Sequence, residues 1–93
     1  MIVSVRDARV LQVIAGQTPR RFPANLQRAA ERRLKALQAA QTLEDLRIPP
    51  SHRLEALRGD RAGQHSIRIN RQWRICFVWK TDGAHDVEIV DYH

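Results

Sequence analysis

Hydrophobic positions follow a helical spacing through the first half of the chain. After a short apolar start, MIVSV, which predicts a strand, apolar residues recur at helical intervals over residues 7–15, and Gly16 ends that run. A longer amphipathic pattern follows Pro23 and covers residues 24–40. Its apolar stripe consists of Leu26, Ala30, Leu34 and Leu37. The pattern predicts two helices, and the basic residues of the second are interpreted as facing solvent rather than RNA.

The spacing changes from helical to alternating beyond Pro49 and Pro50, a pair that excludes a helix at that point. Apolar and polar residues then alternate in HRLEALR, HSIRIN, WRICFVW and VEIVDYH, as in half-buried strands. The connections are short, and one of them, KTDGAHD, contains an Asp-Gly turn signal. One face of the third segment carries Trp73, Ile75, Phe77 and Trp79, which we interpret as core rather than as a base-stacking platform.

The order of predicted elements is therefore a strand, two helices, and three or four strands joined by tight turns. Tight turns require antiparallel pairing. This order predicts the α+β class, with N-terminal helices packed on one face of a small curved antiparallel β-sheet. At 93 residues, we expect one domain covering 1–93.

Compartment and redox state follow from what the chain carries. There is no apolar run of the roughly 20 residues that span a membrane, and no signal-peptide pattern. The single cysteine, Cys76, excludes an internal disulfide and fits a reducing compartment. We therefore expect a cytoplasmic protein with no membrane partner.

Charge narrows the expected partners. The net charge is +6 and the pI is about 11.0, and Lys35 and Lys80 are the only lysines among the 16 basic residues. Arginine presents a planar fork of donors that matches phosphate and stacks on bases. An arginine-rich small domain is typical of nucleic-acid binding, although a solvated surface or an acidic partner protein would also explain the charge.

Several classes of chemistry find no support in the residue spacing. The four histidines and one cysteine show no metal-ligand spacing, and no phosphate-binding glycine loop or nucleophile elbow is present, so we expect no metal and no cofactor. Metal-free acid–base chemistry on RNA remains open, because the RNA 2′-OH is itself the nucleophile. Candidate groups on predicted strands are Glu55 as a base, His93 as an acid, and Arg58, Arg68 and Arg74 as cations. Their convergence does not follow from composition.

Two longer motifs carry a family resemblance. The segment RLEALRGDRAGQHSIRINRQWRICFVW, followed by the terminal DYH, resembles the HigB branch of the RelE toxin superfamily, the toxins of type II toxin–antitoxin pairs. The similarity extends along nearly the whole chain. It combines L-x-x-L-[KR]-G-D with N-x-x-W-R-[IL]-x-F and a closing D-Y-H.

This resemblance implies both a fold and an activity. It implies a RelE-like compact fold and a toxin that enters the A site of the 70S ribosome and cuts the mRNA there, stopping translation. It also implies a HigA-like helix-turn-helix antitoxin as partner, in a complex expected to be heterotetrameric. The active site would lie on the concave face of the sheet, where the C-terminal strand delivers its last residues.

Site residues are carried over from the family motifs by position. Arg58 and Arg74 match the basic positions of the two motifs, and Asp91, Tyr92 and His93 match the closing triplet. The resemblance implies that Arg58 and Arg74 clamp the phosphate and that His93 is the general acid. Tyr92 would stack on or orient a base, and Asp91 would orient His93 or Tyr92 or, in a second version, act as the base.

One departure from the family pattern concerns the base. Many relatives read LHPLKGD where this chain reads LEALRGD, so a histidine that serves activity in those relatives is Glu55 here, and the neighbouring positions are Ala56 and Arg58. A second departure is GQHS, where relatives often carry an aromatic pair before Ser66. A carboxylate can take the 2′-OH proton if burial or RNA phosphates raise its pKa. Glu55 is therefore the hypothesised general base.

The remaining strand arginines have a different expected role. Arg53, Arg68 and Arg71 are interpreted as RNA contacts rather than catalytic groups.

Two other functions stay open beside the endoribonuclease. One is a non-catalytic ribosome- or RNA-binding inhibitor that acts by occupancy, and the other is a module whose basic face only receives an acidic antitoxin segment.

Overall fold

A computed structural model describes residues 1–92, and His93 lies outside the described residues. Two α-helices precede a four-stranded antiparallel sheet whose strands are in sequence order. The elements are α1 (Ala8–Ile14), α2 (Gln27–Ala39), β1 (Glu55–Ala56), β2 (His65–Arg68), β3 (Trp73–Lys80) and β4 (Gly83–Asp91). The helices pack on one face of the sheet, which confirms the predicted α+β class.

Helix α1 is fixed at its start by a capping carboxylate. The Asp7 side chain accepts a hydrogen bond from the backbone N–H of Arg9 (3.0 Å). The same carboxylate accepts from the backbone N–H of Ile89 (3.2 Å), and the Arg9 guanidinium donates to the Ile89 carbonyl (2.8 Å). Although burial opposes it, these hydrogen bonds and the charge of Arg9 lower the pKa of Asp7. The capping pair therefore joins α1 to β4.

Helix α2 supplies most of the helical side of the core. A 3₁₀ turn, Ala24–Leu26, leads into it, so the predicted helix over 24–40 is confirmed with a tighter first turn. The buried stripe is the predicted one, whereas Arg28, Arg32 and Lys35 are exposed as expected. Within residues 1–92, no helix combines the length and the apolar character needed to cross a bilayer.

Alternation along the strands separates two faces of the sheet. Cross-strand partners such as Ile67 with Ile75, and Ile75 with Ile89, meet on the face that the helices cover. Phe77 is fully buried there, and its ring lies edge-on to Trp79, with ring centroids 6.4 Å apart. The aromatic stripe of β3 therefore belongs to the core, as its spacing predicted.

The N-terminal segment differs from the predicted strand. It runs parallel to β4 and forms isolated bridges, Ile2 with Ala84 and Val5 with Val87, instead of a continuous ladder. The backbone comes so close at Gly83, where φ is +131°, that a Cβ atom there would collide with the Met1 carbonyl. Sequence alternation does not reveal such a parallel edge contact, because the two segments are far apart along the chain.

The region around the two prolines also departs from expectation. The exclusion of helical structure there was wrong: short 3₁₀ turns span Leu43–Arg47 and Pro50–His52. Proline fits the first position of such a turn because no backbone N–H is needed there. The alternation predicted over HRLEALR is reduced to the two residues of β1, because Arg53 adopts a left-handed conformation with φ of +45° just before it.

Candidate active site

The sheet face opposite the helices is polar, and its residues line up across all four strands. The register places the first row in the order Glu55, Ser66, Cys76 and Glu88. The next row contains Arg68, Arg74 and Val90. Side chains from distant parts of the sequence therefore share one surface.

A groove of about 470 Å³ lies at one side of this polar face. Its lining residues are Glu55, Ala56, Leu57, Arg58, Arg61 and Tyr92. Three predicted site residues, Glu55, Arg58 and Tyr92, are thus brought together. Arg61 was not among the predicted residues.

Tyr92 is held from two sides and remains 42% exposed. Its hydroxyl lies 3.9 Å from the Cys76 sulfur, and the Arg74 guanidinium lies 5.9 Å from the centre of its ring. Burial and the neighbouring Cys76 raise the pKa of Tyr92, with Arg61 and Arg74 opposing, so the phenol stays protonated at neutral pH. The ring is therefore positioned at the surface and is not a core anchor.

Arg74 is fixed by two uncharged acceptors. Its Nε donates to the Ser66 hydroxyl (2.7 Å), and one terminal nitrogen donates to the Arg53 carbonyl (2.7 Å). Neutral acceptors orient a guanidinium without cancelling its charge. Arg74 therefore presents a positioned positive charge beside Tyr92.

Arg61 is held instead by a carboxylate. It donates to Glu88 (3.1 Å) from one terminal nitrogen and to the Gln64 side-chain oxygen (3.1 Å) from the other. Burial acts to lower its pKa, but the hydrogen bond and charge of Glu88 outweigh it and raise the pKa of Arg61. Glu88 also lies 3.7 Å from the Arg6 guanidinium, so one carboxylate faces two arginines.

Cys76 lies under this cluster and is fully buried. Burial raises the pKa of its thiol, and Glu88 adds to the effect, whereas Tyr92, Arg61 and Arg74 oppose it. A neutral buried thiol is a poor nucleophile. Its contribution here is to support the Tyr92 hydroxyl from below.

Known proteins are similar in sequence to this chain over most of its length. Residues 8–93 match the family model described as "RelE-like toxin of type II toxin-antitoxin system HigB". A curated relative, Toxin HigB-1 of Vibrio cholerae, is 43% identical over 74 residues, covering 80% of this chain and 77% of the relative. The chain belongs to the HigB family of RelE-like toxins.

A second relative of this HigB-family chain is an uncharacterized protein of Haemophilus influenzae. It is 31% identical over 72 residues, covering 77% of this chain and 71% of the relative. Membership of a type II toxin–antitoxin family implies an antitoxin partner and fits a toxin of the ribonuclease type. The predicted family is therefore confirmed.

Glu55 occupies the position where many HigB relatives were expected to have histidine. Its side chain is exposed at the edge of the groove. Of the two conditions set for a general base, burial and nearby RNA phosphates, burial is therefore not met. Arg58 is also exposed beside it, where it can reach a ligand in the groove.

Asp91 lies on the strand face opposite Tyr92 and is linked to it through Gln72. Asp91 pairs with Trp73 across the strands, and its carboxylate accepts from the Gln72 side-chain amide (3.1 Å). The Gln72 carbonyl in turn accepts from the Tyr92 backbone N–H (2.6 Å). Gln72 was not predicted from the sequence, and the predicted acid, His93, lies outside the described residues.

The three arginines predicted to contact RNA gather in a separate groove of about 330 Å³. Its lining residues are Arg33, Ser51, Arg53, Arg68, Ile69, Asn70 and Arg71. Within residues 1–92, no three His, Cys, Asp or Glu side chains lie close enough to hold a metal ion together.

Proposed function

We propose that this HigB-family chain is a ribosome-dependent mRNA endonuclease that cuts mRNA in the ribosomal A site and thereby stops translation. The observation that carries the proposal is the polar-face groove, which combines a carboxylate, two arginines and an exposed tyrosine. Arg74 adds a further cation next to that tyrosine. Cations around a single carboxylate suit a reaction at a phosphodiester.

The proposed reaction uses the 2′-OH of the mRNA as nucleophile. Glu55 takes the proton from this hydroxyl while the 2′ oxygen attacks the adjacent phosphorus. The bond from phosphorus to the 5′ oxygen breaks, and His93 supplies the proton to the departing oxygen. The products are a 2′,3′-cyclic phosphate and a free 5′-OH. The reaction balances without a metal ion or a cofactor.

Arginines stabilise the charge that develops on the phosphorane. Arg74 suits this role because neutral acceptors hold it, so its charge is available to the phosphate. Arg58 approaches the same groove from β1's C-terminal side, and Arg61 joins it from the following turn. These three residues form the proposed phosphate clamp.

Tyr92 is proposed to stack on a base of the mRNA, because its ring is exposed and held in place. Asp91 is proposed to orient this part of the chain through Gln72. The alternative version, in which Asp91 is the general base, is less well supported because Glu55, and not Asp91, lines the groove.

Regulation is proposed to follow the family pattern. A HigA-like antitoxin with a helix-turn-helix would bind the toxin in a heterotetramer and repress the shared operon. The chain would act in the cytoplasm, where ribosomes and mRNA are found, as a single domain covering 1–93.

A second candidate function is translation inhibition by occupancy without cleavage. The exposed position of Glu55 favours it, because the burial that was one condition for a carboxylate base is absent there. A third candidate, an antitoxin-binding module without an RNA target, leaves the positioned Arg74 and Tyr92 without a purpose.

Primer extension on a defined mRNA in a cell-free translation reaction tests the proposal. Native protein should produce discrete cuts within the reading frame, and blocking initiation should remove them. The cut ends should carry a 2′,3′-cyclic phosphate. Stalled translation with intact mRNA would support occupancy, and normal translation would leave only the antitoxin-binding module.

A further inference from the structure

A groove lined by four arginines lies beside the candidate active site. Its cations come from separate parts of the fold: Arg33 from α2, Arg53 from the segment before β1, and Arg68 and Arg71 from the β2 end and the following turn. Ser51, Ile69 and Asn70 complete the lining. We call this surface the arginine groove.

Two of these guanidinium groups are held in place by backbone carbonyls. Arg33 donates from Nε to the Arg68 carbonyl (2.8 Å), and Arg68 donates from Nε to the Asn70 carbonyl (2.9 Å). Hydrogen bonds through Nε leave the terminal nitrogens of each fork for a ligand. The side chains are thus positioned before any ligand binds.

The charge of the arginine groove is not balanced within the described part of the chain. Among residues 1–92, the arginines that form ion pairs are Arg6, Arg9, Arg47 and Arg61, and all four lie outside the arginine groove. Those that line the arginine groove form no ion pair with a carboxylate among residues 1–92. Burial lowers the pKa of Arg33, and the charge of the neighbouring Arg32 adds to the effect. A bound anion would offset the repulsion between these two cations.

A hydrogen bond links the arginine groove to Arg74, which lies beside Tyr92 of the polar-face groove. The Arg53 carbonyl accepts from Arg74, the residue whose guanidinium lies near the Tyr92 ring. Arg68 and Arg74 are also direct cross-strand partners in β2 and β3. An extended polyanion that reaches Arg74 is therefore within reach of the arginine groove.

We infer that the arginine groove binds successive backbone phosphates of the RNA whose cleavage is proposed at the neighbouring groove. The inference rests on that proposed function for the identity of the RNA. Ile69 is the only apolar side chain in the lining, and it is 5% exposed, so an apolar anchor of a protein partner finds little surface here. Forked guanidinium groups match phosphate oxygens in pairs.

Binding of a single-stranded RNA oligonucleotide with 2′-O-methyl riboses tests this inference. The methyl groups prevent 2′-OH attack, so binding is measured without cleavage. The readout is the slope of log Kd against log salt concentration from fluorescence anisotropy. Arg33→Gln/Arg71→Gln should lower the magnitude of the slope by about 1.4, because each phosphate contact to a single strand contributes about 0.7.

A second groove variant and a matched control distinguish the loss of a phosphate contact from a change in folding. Arg53→Gln/Arg71→Gln changes two exposed side chains and keeps the Arg53 carbonyl that holds Arg74, and it should reduce the slope equally. Arg20→Gln/Arg28→Gln removes the same charge from exposed positions outside both grooves and should leave the slope unchanged.

Several outcomes would overturn the inference. These are equal slopes for native protein and both groove variants, an equal loss in the control, or no affinity of the native protein for the oligonucleotide. Loss of affinity for the antitoxin with unchanged RNA slopes would assign the groove to the protein partner instead. Cleavage of mRNA is measured separately, so a reduced slope in a protein that does not cut would contradict the proposed function alone.

Discussion

The two faces of the sheet are formed by alternate residues of the same strands, yet one is apolar and covered by the helices and the other carries polar side chains. On the helix-covered face, Ile67, Ile75 and Phe77 are fully buried among apolar neighbours. On the other face, Ser66 and Cys76 are equally buried, but they lie under charged and aromatic side chains that reach solvent. One face therefore supplies stability, and the other positions the side chains of the candidate active site.

The polar face itself contains two ways of holding an arginine. Arg61 pairs with the Glu88 carboxylate, whereas Arg74 is held by the Ser66 hydroxyl and a backbone carbonyl. The first arrangement partly neutralises the cation and the second does not. The stronger phosphate ligand of the two should therefore be Arg74.

Truncating Phe77 should produce the largest effect, and it should fall on stability. Phe77→Ala removes a fully buried ring that packs against Trp79 and is expected to cost about 3–5 kcal/mol of unfolding free energy. Urea denaturation measures it. Tyr92→Ala, on the other face, should cost about 1 kcal/mol or less. Equal losses for the two variants would contradict the division between the faces.

Neutralising Arg74 should produce the next largest effect, on cleavage. Arg74→Gln removes a positioned cation from the proposed transition state, so the single-turnover rate on ribosome-bound mRNA should fall by about 10²–10³. Arg28→Gln, an exposed change on α2, is the matched control and should keep the native rate. An unchanged rate in Arg74→Gln would remove Arg74 from the phosphate clamp.

Changing Glu88 should have a smaller effect on the same rate. Glu88→Gln weakens the hydrogen bond that positions Arg61, which contributes about 1.5 kcal/mol, and it also removes the charge that partly neutralises Arg61. Because the second change opposes the first, the rate should fall by no more than roughly tenfold. Combining it with Arg61→Gln should add little to the loss from Arg61→Gln alone. Fully additive losses would show that Glu88 acts independently of Arg61.

The free energy of unfolding should depend modestly on pH because of His52, which lies in the core and outside the candidate active site. His52 is buried, with Nδ1 3.1 Å from the Leu46 carbonyl, and burial lowers its pKa, with Arg33 adding to the effect. Below about pH 6.5 the His52 side chain binds a proton in the unfolded chain but not in the folded one. The free energy of unfolding is therefore highest above that pH and decreases as the pH falls. Urea denaturation at pH 7 and pH 5 should show this loss, and His52→Gln should reduce it. An identical pH dependence in His52→Gln would exclude His52 as its source.

Local pattern was enough to predict the separation of the two faces. The alternation of Trp73, Ile75 and Phe77 with Arg74 and Cys76 correctly assigned core and polar sides, because strand geometry alone determines that division. The bounds of α1 were predicted to within one residue, and the predicted start of the second helix at residue 24 is a 3₁₀ turn that precedes α2 at Gln27. Apolar stripes and stop signals are local features, which is why both helices were predictable.

Long-range contacts could not be predicted in the same way. Arg61 pairs with Glu88, which lies 27 residues further along the chain, and nothing in its own short turn distinguishes it from other exposed arginines. The contribution of Arg33 to the arginine groove depends on how α2 packs near the end of β2. Family motifs indicated Arg74 and Tyr92, but their mutual contact required the register of β3 and β4.

Primer extension on translated mRNA with a polar-face variant tests whether the polar face of the sheet is where the mRNA is cut. Glu55→Gln/Arg74→Gln removes the proposed base and the best-held cation, and Arg20→Gln/Arg28→Gln provides a control that leaves both grooves intact. We expect cuts within the reading frame to disappear in the first variant and to persist in the second. Cuts that persist in the first variant at the native rate would show that the chemistry lies elsewhere on the molecule.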